Sequence, residues 1–206
     1  MSLSNQNQHL LSLPEGKQHH DLQFEWTFWY LIPNRTNSKN TRWEDFLKEL
    51  LDFHSFEDFW GIYNAVEPAK NLPKGCRYYV FRKGVRPLWE DVENSKGFDI
   101  HVEYPIKRKN GTEFQDSDEI QKKWLDVLLT VLAYPTPLYD CINGVEYNSR
   151  RDTIRIGVWT KEIDDSKKEV VMKEISKVLQ LKDSDKEKPT ASKMNDRLAA
   201  ENSNRQ

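Results

Sequence analysis

The sequence predicts an α+β fold, one largely antiparallel sheet accompanied by three helices. Several segments alternate apolar and polar residues with period two, the mark of a half-buried strand. Three others space their apolar residues at the helical interval, with capping or breaking residues at their ends. The 206 residues also hold one stretch of roughly 160 residues between two polar ends, with no repeat or low-complexity linker to divide it, which is the size of a single domain.

Residues 1–20 are rich in Gln, Asn, Ser and His and poor in large apolar groups. They cannot bury enough surface to offset their ordering entropy, so a disordered tail is expected there. The domain itself is expected over residues 21–181. Phe24, Trp26, Phe28 and Tyr30 share one face of its first strand. The next stretch, 46–53 (FLKELLDF), suits a strand or a helical turn equally, and periodicity leaves it open. Ser55 can cap a helix expected over about 56–66, with Asp58 in the acidic position of a capping box. Phe59, Ile62, Tyr63 and Val66 form the core-facing stripe of that helix, and Trp60 falls roughly 110° from its centre.

Tyr79 and Phe81 share a face of a further strand, and Phe98, Ile100, Val102 and Tyr104 of another. A second helix, expected over about 118–133 and stopped by Pro135, places Ile120, Trp124, Val127 and Val131 on one side. Leu125, Leu129 and Leu132 make a second apolar stripe on it. A helix apolar on two sides lies deep in a core or offers one stripe to a partner. Residues 142–147 are a weaker strand candidate, and Ile154, Ile156 and Val158 line a clear one. A third helix, over about 167–179, turns Val171, Ile175, Val178 and Leu179 inward. Residues 182–206 are polar and charged with few apolar anchors, and a disordered tail is expected there too.

Composition narrows the function. The formal net charge is −2 with 31% charged residues, so the summed field does not attract a nucleic-acid backbone and any RNA contact must come from a local site. Cys76 and Cys141 are too few for a disulfide framework and lack zinc-ligand spacing. They read as free core thiols in a reducing compartment. With no run of about 18 apolar residues, a soluble, cytoplasmic protein is expected, a nuclear share being allowed. The sequence shows no nucleophile motif, phosphate loop or metal cluster, and no cofactor is expected, so binding is favoured over catalysis. The unusual quantity is aromatic content, 12% with seven Trp, more than packing such a core requires.

The informative segment is Gly84 to Asn94, GVRPLWEDVEN, in which Glu90 follows Trp89 in a loop leaving a strand. A Trp face beside a carboxylate suits a purine, although the triplet alone fits a core Trp next to solvated acids better. Its context is more specific. His20-Asp21-Leu22 before Trp26 and Trp29, Glu57-Asp58-Phe59-Trp60-x-x-Tyr63-Asn64, Asn71-Leu72 with Gly75-Cys76, Pro87-x-Trp89-Glu90-Asp91, Trp124-Leu125, and Ile154-x-Ile156-x-Val158-Trp159-Thr160 occur in one order. Over roughly residues 20–180 this resembles the eukaryotic translation initiation factor 4E family, which binds the 5′ cap of mRNA.

The resemblance implies a curved sheet that holds the cap on its concave side, with the three helices across its convex back. It implies that Trp43 and Trp89 stack on the two faces of 7-methylguanine, that Glu90 accepts from the guanine N1–H and exocyclic amine, and that Trp159 lies beside the N7-methyl group. Methylation at N7 gives the purine a positive charge, so each aromatic face adds about 1–2 kcal/mol of dispersion and cation–π attraction. Arg150 and Arg155 match the basic positions that hold the phosphate bridge, and Arg151 could add to them. Counting back from Trp159 along the strand, Gly157 and Arg155 share its face while Val158, Ile156 and Ile154 point the other way.

On the convex side, Trp60 matches the anchor for a short helix of a scaffold or repressor partner, flanked by Phe56, Leu125 and Leu129, with His20 and Leu22 extending the patch. The chain departs from the family pattern in Asp21 for a usual Pro, in the bulkier Phe56, in Phe98-Asp99 for a usual Trp, and in a longer basic stretch between Tyr104 and Ile120. Two further readings are a cap-binding repressor homologue and a general single-stranded RNA platform in which Trp faces stack any base.

Overall fold

The period-two segments form one curved seven-stranded sheet in the computed structural model, which describes residues 19–33, 43–106, 117–133, 139–181 and 188–196. The strands are β1 (Asp21–Leu31), β2 (Leu47–Ser55), β3 (Arg77–Arg82), β4 (Phe98–Pro105), β5 (Ile142–Ser149), β6 (Thr153–Thr160) and β7 (Thr190–Lys193). They lie in the order β2-β1-β3-β5-β6-β4-β7, and every neighbouring pair is antiparallel. The ambiguous 46–53 segment is strand, since most of it pairs with β1 as part of β2 and buries Leu47 and Phe53.

Three helices cover one face: α1 (Phe56–Ala65), α2 (Ser117–Ala133) and α3 (Asp165–Val178). The α1 cap is the expected one, with Ser55 Oγ accepting from the Asp58 amide at 3.1 Å. Helix α3 begins two residues before the expected start, because Asp164 Oδ1 accepts from the Lys167 amide at 2.7 Å and so sets the first turn. Phe59 and Ile62 of α1, Ile120 and Trp124 of α2, and Val171 and Ile175 of α3 pack with Trp26, Phe28, Ile100, Val102, Ile156 and Val158 of the sheet. These are the stripes that the periodicities select. Cys76 and Cys141 are buried thiols, not joined in a disulfide.

None of α1, α2 and α3 contributes to the opposite face. There Trp29, Leu31, Tyr79, Phe81 and Trp159 form a smaller cluster with Val85, Leu88 and Met194. The register carries one row across the sheet: Trp29 lies opposite Tyr79, Tyr79 opposite Glu146, Glu146 opposite Gly157 and Gly157 opposite His101. A strand presents alternate residues to alternate faces, so Arg77, Asn148, Arg155, Trp159, Asp99 and Glu103 join this open face.

Both expected tails need correction where they are described. Residues 190–193 are a strand paired with β4, not disordered chain, and Met194 is fully buried in the open-face cluster. A four-residue edge strand reading TASK has no alternation to betray it; it forms by completing the outer ladder of β4. At the other end, the His20 carbonyl accepts from the Phe56 amide at 3.0 Å, so residue 20 belongs to the domain. Residues 1–18 and 197–206, and most of the basic stretch between Tyr104 and Ile120, lie outside the described residues.

Candidate functional site

The loop between β3 and β4 carries Trp89 and Glu90. Gly84, at φ 85°, takes the left-handed turn out of β3 that a side chain would strain. Asp91 then ties the loop to itself, its Oδ2 accepting from the Arg86 amide and its Oδ1 from the Glu93 amide, both at 3.0 Å. Beneath them Asn94 is 0% exposed. Its Nδ2 donates to the Arg86 carbonyl at 2.8 Å and to the Leu88 carbonyl at 2.9 Å. Asn143 Nδ2 in turn donates to Asn94 Oδ1 at 3.0 Å and to the Glu93 carbonyl at 2.8 Å. The result is a loop held from inside, with Trp89 half-buried against the open-face cluster and Glu90 exposed beside it.

Trp159 stands in that cluster at 1% exposure. It meets Phe81 and Tyr79 edge-on, with ring centroids 5.3 and 6.2 Å away. Gly144, opposite Trp159 in the β5–β6 ladder, makes room for this packing, since a Cβ there would meet the Phe81 ring at 2.1 Å. The Trp159 indole Nε1 donates to Glu146 Oε2 at 3.3 Å, which sets the plane of the ring. Glu146 is itself buried, accepts from Asn148 Nδ2 at 3.1 Å, and lies 3.9 Å from Arg77 Nη1. Burial and the Glu146 charge push the Tyr79 hydroxyl far above its ordinary pKa, so it stays protonated.

Arg155 is 6% exposed, deeper than a solvated strand face would leave it. Such a charge must be paired, and it is. Nη1 donates to Asp99 Oδ2 at 3.1 Å, while Nε and Nη2 donate to Glu103 Oε1 at 3.2 and 2.9 Å. Arg150, at the start of the β5–β6 turn and more open, donates to the same Glu103 oxygen at 2.6 Å. Desolvation pulls the Glu103 carboxyl upward, but Arg155 and Arg150 outweigh it and hold it below its ordinary value. Asp99 also meets the buried His101 ring at 3.0 Å. Arg151 is exposed, 3.8 Å from Asp152. Trp43 begins a 3-10 turn at Trp43–Phe46, and its side chain lies outside the described residues.

The structure therefore brings Trp89, Trp159 and Arg155 onto one face, with Arg150 at its edge. Asp99, His101, Glu103, Glu146, Asn94 and Asn143 are not singled out by the sequence. For Asp99, His101 and Glu103 there is a signal, the parity opposite to Phe98, Ile100 and Val102, but only the pairing of β4 with β6 gives it meaning. Among the described residues, no group of His, Cys, Asp and Glu is placed to hold a metal ion.

On the helical side, Trp60 is 36% exposed and packs edge-on against Tyr63 at 5.6 Å. Gln121 Nε2 of α2 donates to the Tyr63 hydroxyl, so the two helices meet there. Leu125 and Leu129 follow Gln121 at helical spacing and are half-buried, as are Phe56 and Leu22. His20 fastens the start of β1 to α1, its amide donating to Glu57 Oε2 at 3.0 Å and its ring lying 2.6 Å from Oε1.

These His20 hydrogen bonds hold the Glu57 carboxyl well below its ordinary 4.5, at about 2. A carboxyl with a lowered folded pKa stabilises the fold above the unfolded value and loses that contribution as pH falls through the folded one. The melting-temperature gap between wild type and Glu57→Gln should thus be full above pH 4.5 and close by about pH 2. Thermal melts across that range check this, and a gap that stays constant would refute it.

The family model for eukaryotic initiation factor 4E matches residues 21–206. Eukaryotic translation initiation factor 4E of Candida albicans is 38% identical over 176 residues, 85% of this chain and 80% of that protein. A solved complex of Caenorhabditis elegans eIF4E-3 with the 4E-binding protein Mextli and a cap analog superposes with TM-score 0.75 at 28% identity, covering 88% of this chain and 96% of that one. Ascaris suum eIF4E-3 with the m2,2,7G cap gives TM-score 0.75 at 28% identity, over 85% and 92% of the two chains.

Proposed function

We propose, from the premise that this chain belongs to the eukaryotic initiation factor 4E family, that it binds the 7-methylguanosine cap of mRNA on the open face of its sheet and recruits a partner through its helical face. The observation that carries this reading is the pinned loop: half-buried Trp89 with exposed Glu90 beside it, packed on the cluster whose Trp159 shares a strand face with Arg155. Trp89 is one wall of the base sandwich and Trp43 the other. Glu90 accepts from the guanine Watson–Crick edge, and a carboxylate facing a cationic base makes short, strong hydrogen bonds. Trp159 is the floor, its plane set by Glu146. Arg150 and Arg155 take the phosphate bridge, with Arg151 as an outer contact. The role is recognition in the cytoplasm, without catalysis.

Titration with 7-methyl-GTP and with GTP, followed by tryptophan fluorescence, tests this. One cation–π face is worth about 1–2 kcal/mol. The sandwich has two such faces, so methylated nucleotide should bind about thirtyfold to several hundredfold more tightly than GTP. Equal responses to both would favour a general RNA platform.

For the helical face, a partner helix would seat an apolar side chain against Trp60 between α1 and the Leu125–Leu129 stripe. Trp60→Ala should lower affinity for such a helix by about tenfold to thirtyfold, the loss expected for an interface anchor of about 1.5–2 kcal/mol. Trp60 is 36% exposed and the rest of the ring packs on Phe59 and Tyr63, so the melting temperature should fall by a few degrees as well. Calorimetric titration with a 4E-binding peptide checks both expectations. Undiminished affinity would shift the interface away from α1.

A further inference from the structure

Arg150 and Arg155 converge on a single oxygen, Glu103 Oε1, which accepts from Arg150 Nη1 at 2.6 Å and from Arg155 Nε and Nη2 at 3.2 and 2.9 Å. The Nε and Nη2 pair is the edge of a guanidinium that meets two phosphate oxygens as a fork. The remaining terminal nitrogen, Nη1, is taken by Asp99 Oδ2 at 3.1 Å. Arg155 thus meets any ligand already engaged by carboxylates. These four side chains carry two positive and two negative formal charges, so the subsite is balanced, not cationic.

The two carboxylates differ in freedom. Asp99 has 0% side-chain exposure and is held between Arg155 and the buried His101. Glu103 lies directly opposite Arg155 in the β4–β6 ladder, with its side chain 37% exposed at the rim. Of the two, only Glu103 can swing into water without leaving a charge buried.

We infer that Glu103 is an internal stand-in for the phosphate bridge, a carboxylate that a nucleotide's phosphates must displace from Arg150 and Arg155. It thereby sets how much of the affinity comes from phosphate and how much from base. The inference rests on the cap-binding reading above. A phosphate chain carries more charge than one carboxylate and can use the whole fork, so the exchange proceeds. Its gain is the difference between two charge-assisted contacts, not the full value of one.

The test compares the full chain with Glu103→Gln, titrated with 7-methylguanosine, 7-methyl-GMP and 7-methyl-GTP. Glutamine keeps the shape and one acceptor but removes the competing charge. The preference for 7-methyl-GTP over the nucleoside should grow about fivefold, the size of one partly exposed charge pair. Affinity for the nucleoside should not change, and the salt dependence of 7-methyl-GTP binding should steepen. An unchanged preference, or equal shifts for nucleoside and triphosphate, would overturn the inference while leaving cap binding intact. Failure of all three ligands to bind wild type would instead overturn the cap reading beneath it. A second measurement needs no variant: in wild type labelled with 13C-glutamate, the Glu103 carboxyl resonance should move with 7-methyl-GTP and stay still with 7-methylguanosine. A resonance indifferent to both would equally overturn it.

Discussion

Glu90→Ala should weaken 7-methyl-GTP binding by about a hundredfold to a thousandfold while leaving the fold intact. Two charge-assisted hydrogen bonds to guanine N1–H and the exocyclic amine are worth about 1.5–3 kcal/mol each, and water entering the vacated space recovers only part of that. Glu90 is exposed, so its removal creates neither a cavity nor an unpaired buried group, and the melting temperature should hold. The variant should also lose its discrimination between 7-methyl-GTP and 7-methyl-ATP, because adenine does not present those donors and never had the bonds to lose. Calorimetry with both nucleotides gives the affinities and their ratio. Affinity within about threefold of wild type would remove Glu90 from the site.

Asn94→Ala should produce the largest loss of stability among the loop residues, about 3 kcal/mol. Asn94 is fully buried and serves three partners: the carbonyls of Arg86 and Leu88, and the amide of Asn143. Alanine removes one partner from each: the Arg86 and Leu88 carbonyls keep the Leu88 and Asp91 amides, and Asn143 Nδ2 keeps the Glu93 carbonyl, so each lost bond to this buried side chain costs about 1 kcal/mol. Urea denaturation measures the loss. Because Trp89 and Glu90 sit between Leu88 and Asn94, cap affinity should fall with it, and limited proteolysis should open the chain within 86–95 before the core yields. A loss under about 1 kcal/mol would mean that water takes over the bonds of Asn94.

How much of this is legible in the sequence depends on whether a feature is local. The α1 cap lies within four residues, Ser55 to Asp58, and the sequence states it. The faces of β1, β4 and β6 follow from parity alone, so the alternation of residues along β6 is enough to place Trp159 and Arg155 together. What parity cannot supply is the neighbouring strand. Glu103 meets Arg155 only because β4 pairs with β6, roughly 50 residues later in the chain. Asn94 has no periodic signature, since its role is to bond carbonyls of its own loop and Asn143 of another strand. The burial of Met194 and the β7 ladder are hidden because edge strands gain their stability from the sheet they join, not from composition. The second wall of the base site, Trp43, rests on the family resemblance, its side chain being outside the described residues.

The strand order has a consequence for how the chain is made. Every strand from β1 to β3 finds a neighbour already synthesised or soon to follow. Strand β4 does not: its partners are β6 and β7, both later in the chain. On a ribosome adding about 5–20 residues per second, the gap between β4 and β6 lasts roughly 2–10 s. Throughout that interval Ile100, Val102 and Tyr104 have emerged with neither ladder edge satisfied, a row of apolar side chains on an open strand, the kind of surface that aggregates. The half of the sheet that carries Arg155 and Trp159 is therefore assembled last, around a strand that has to wait in the nascent chain.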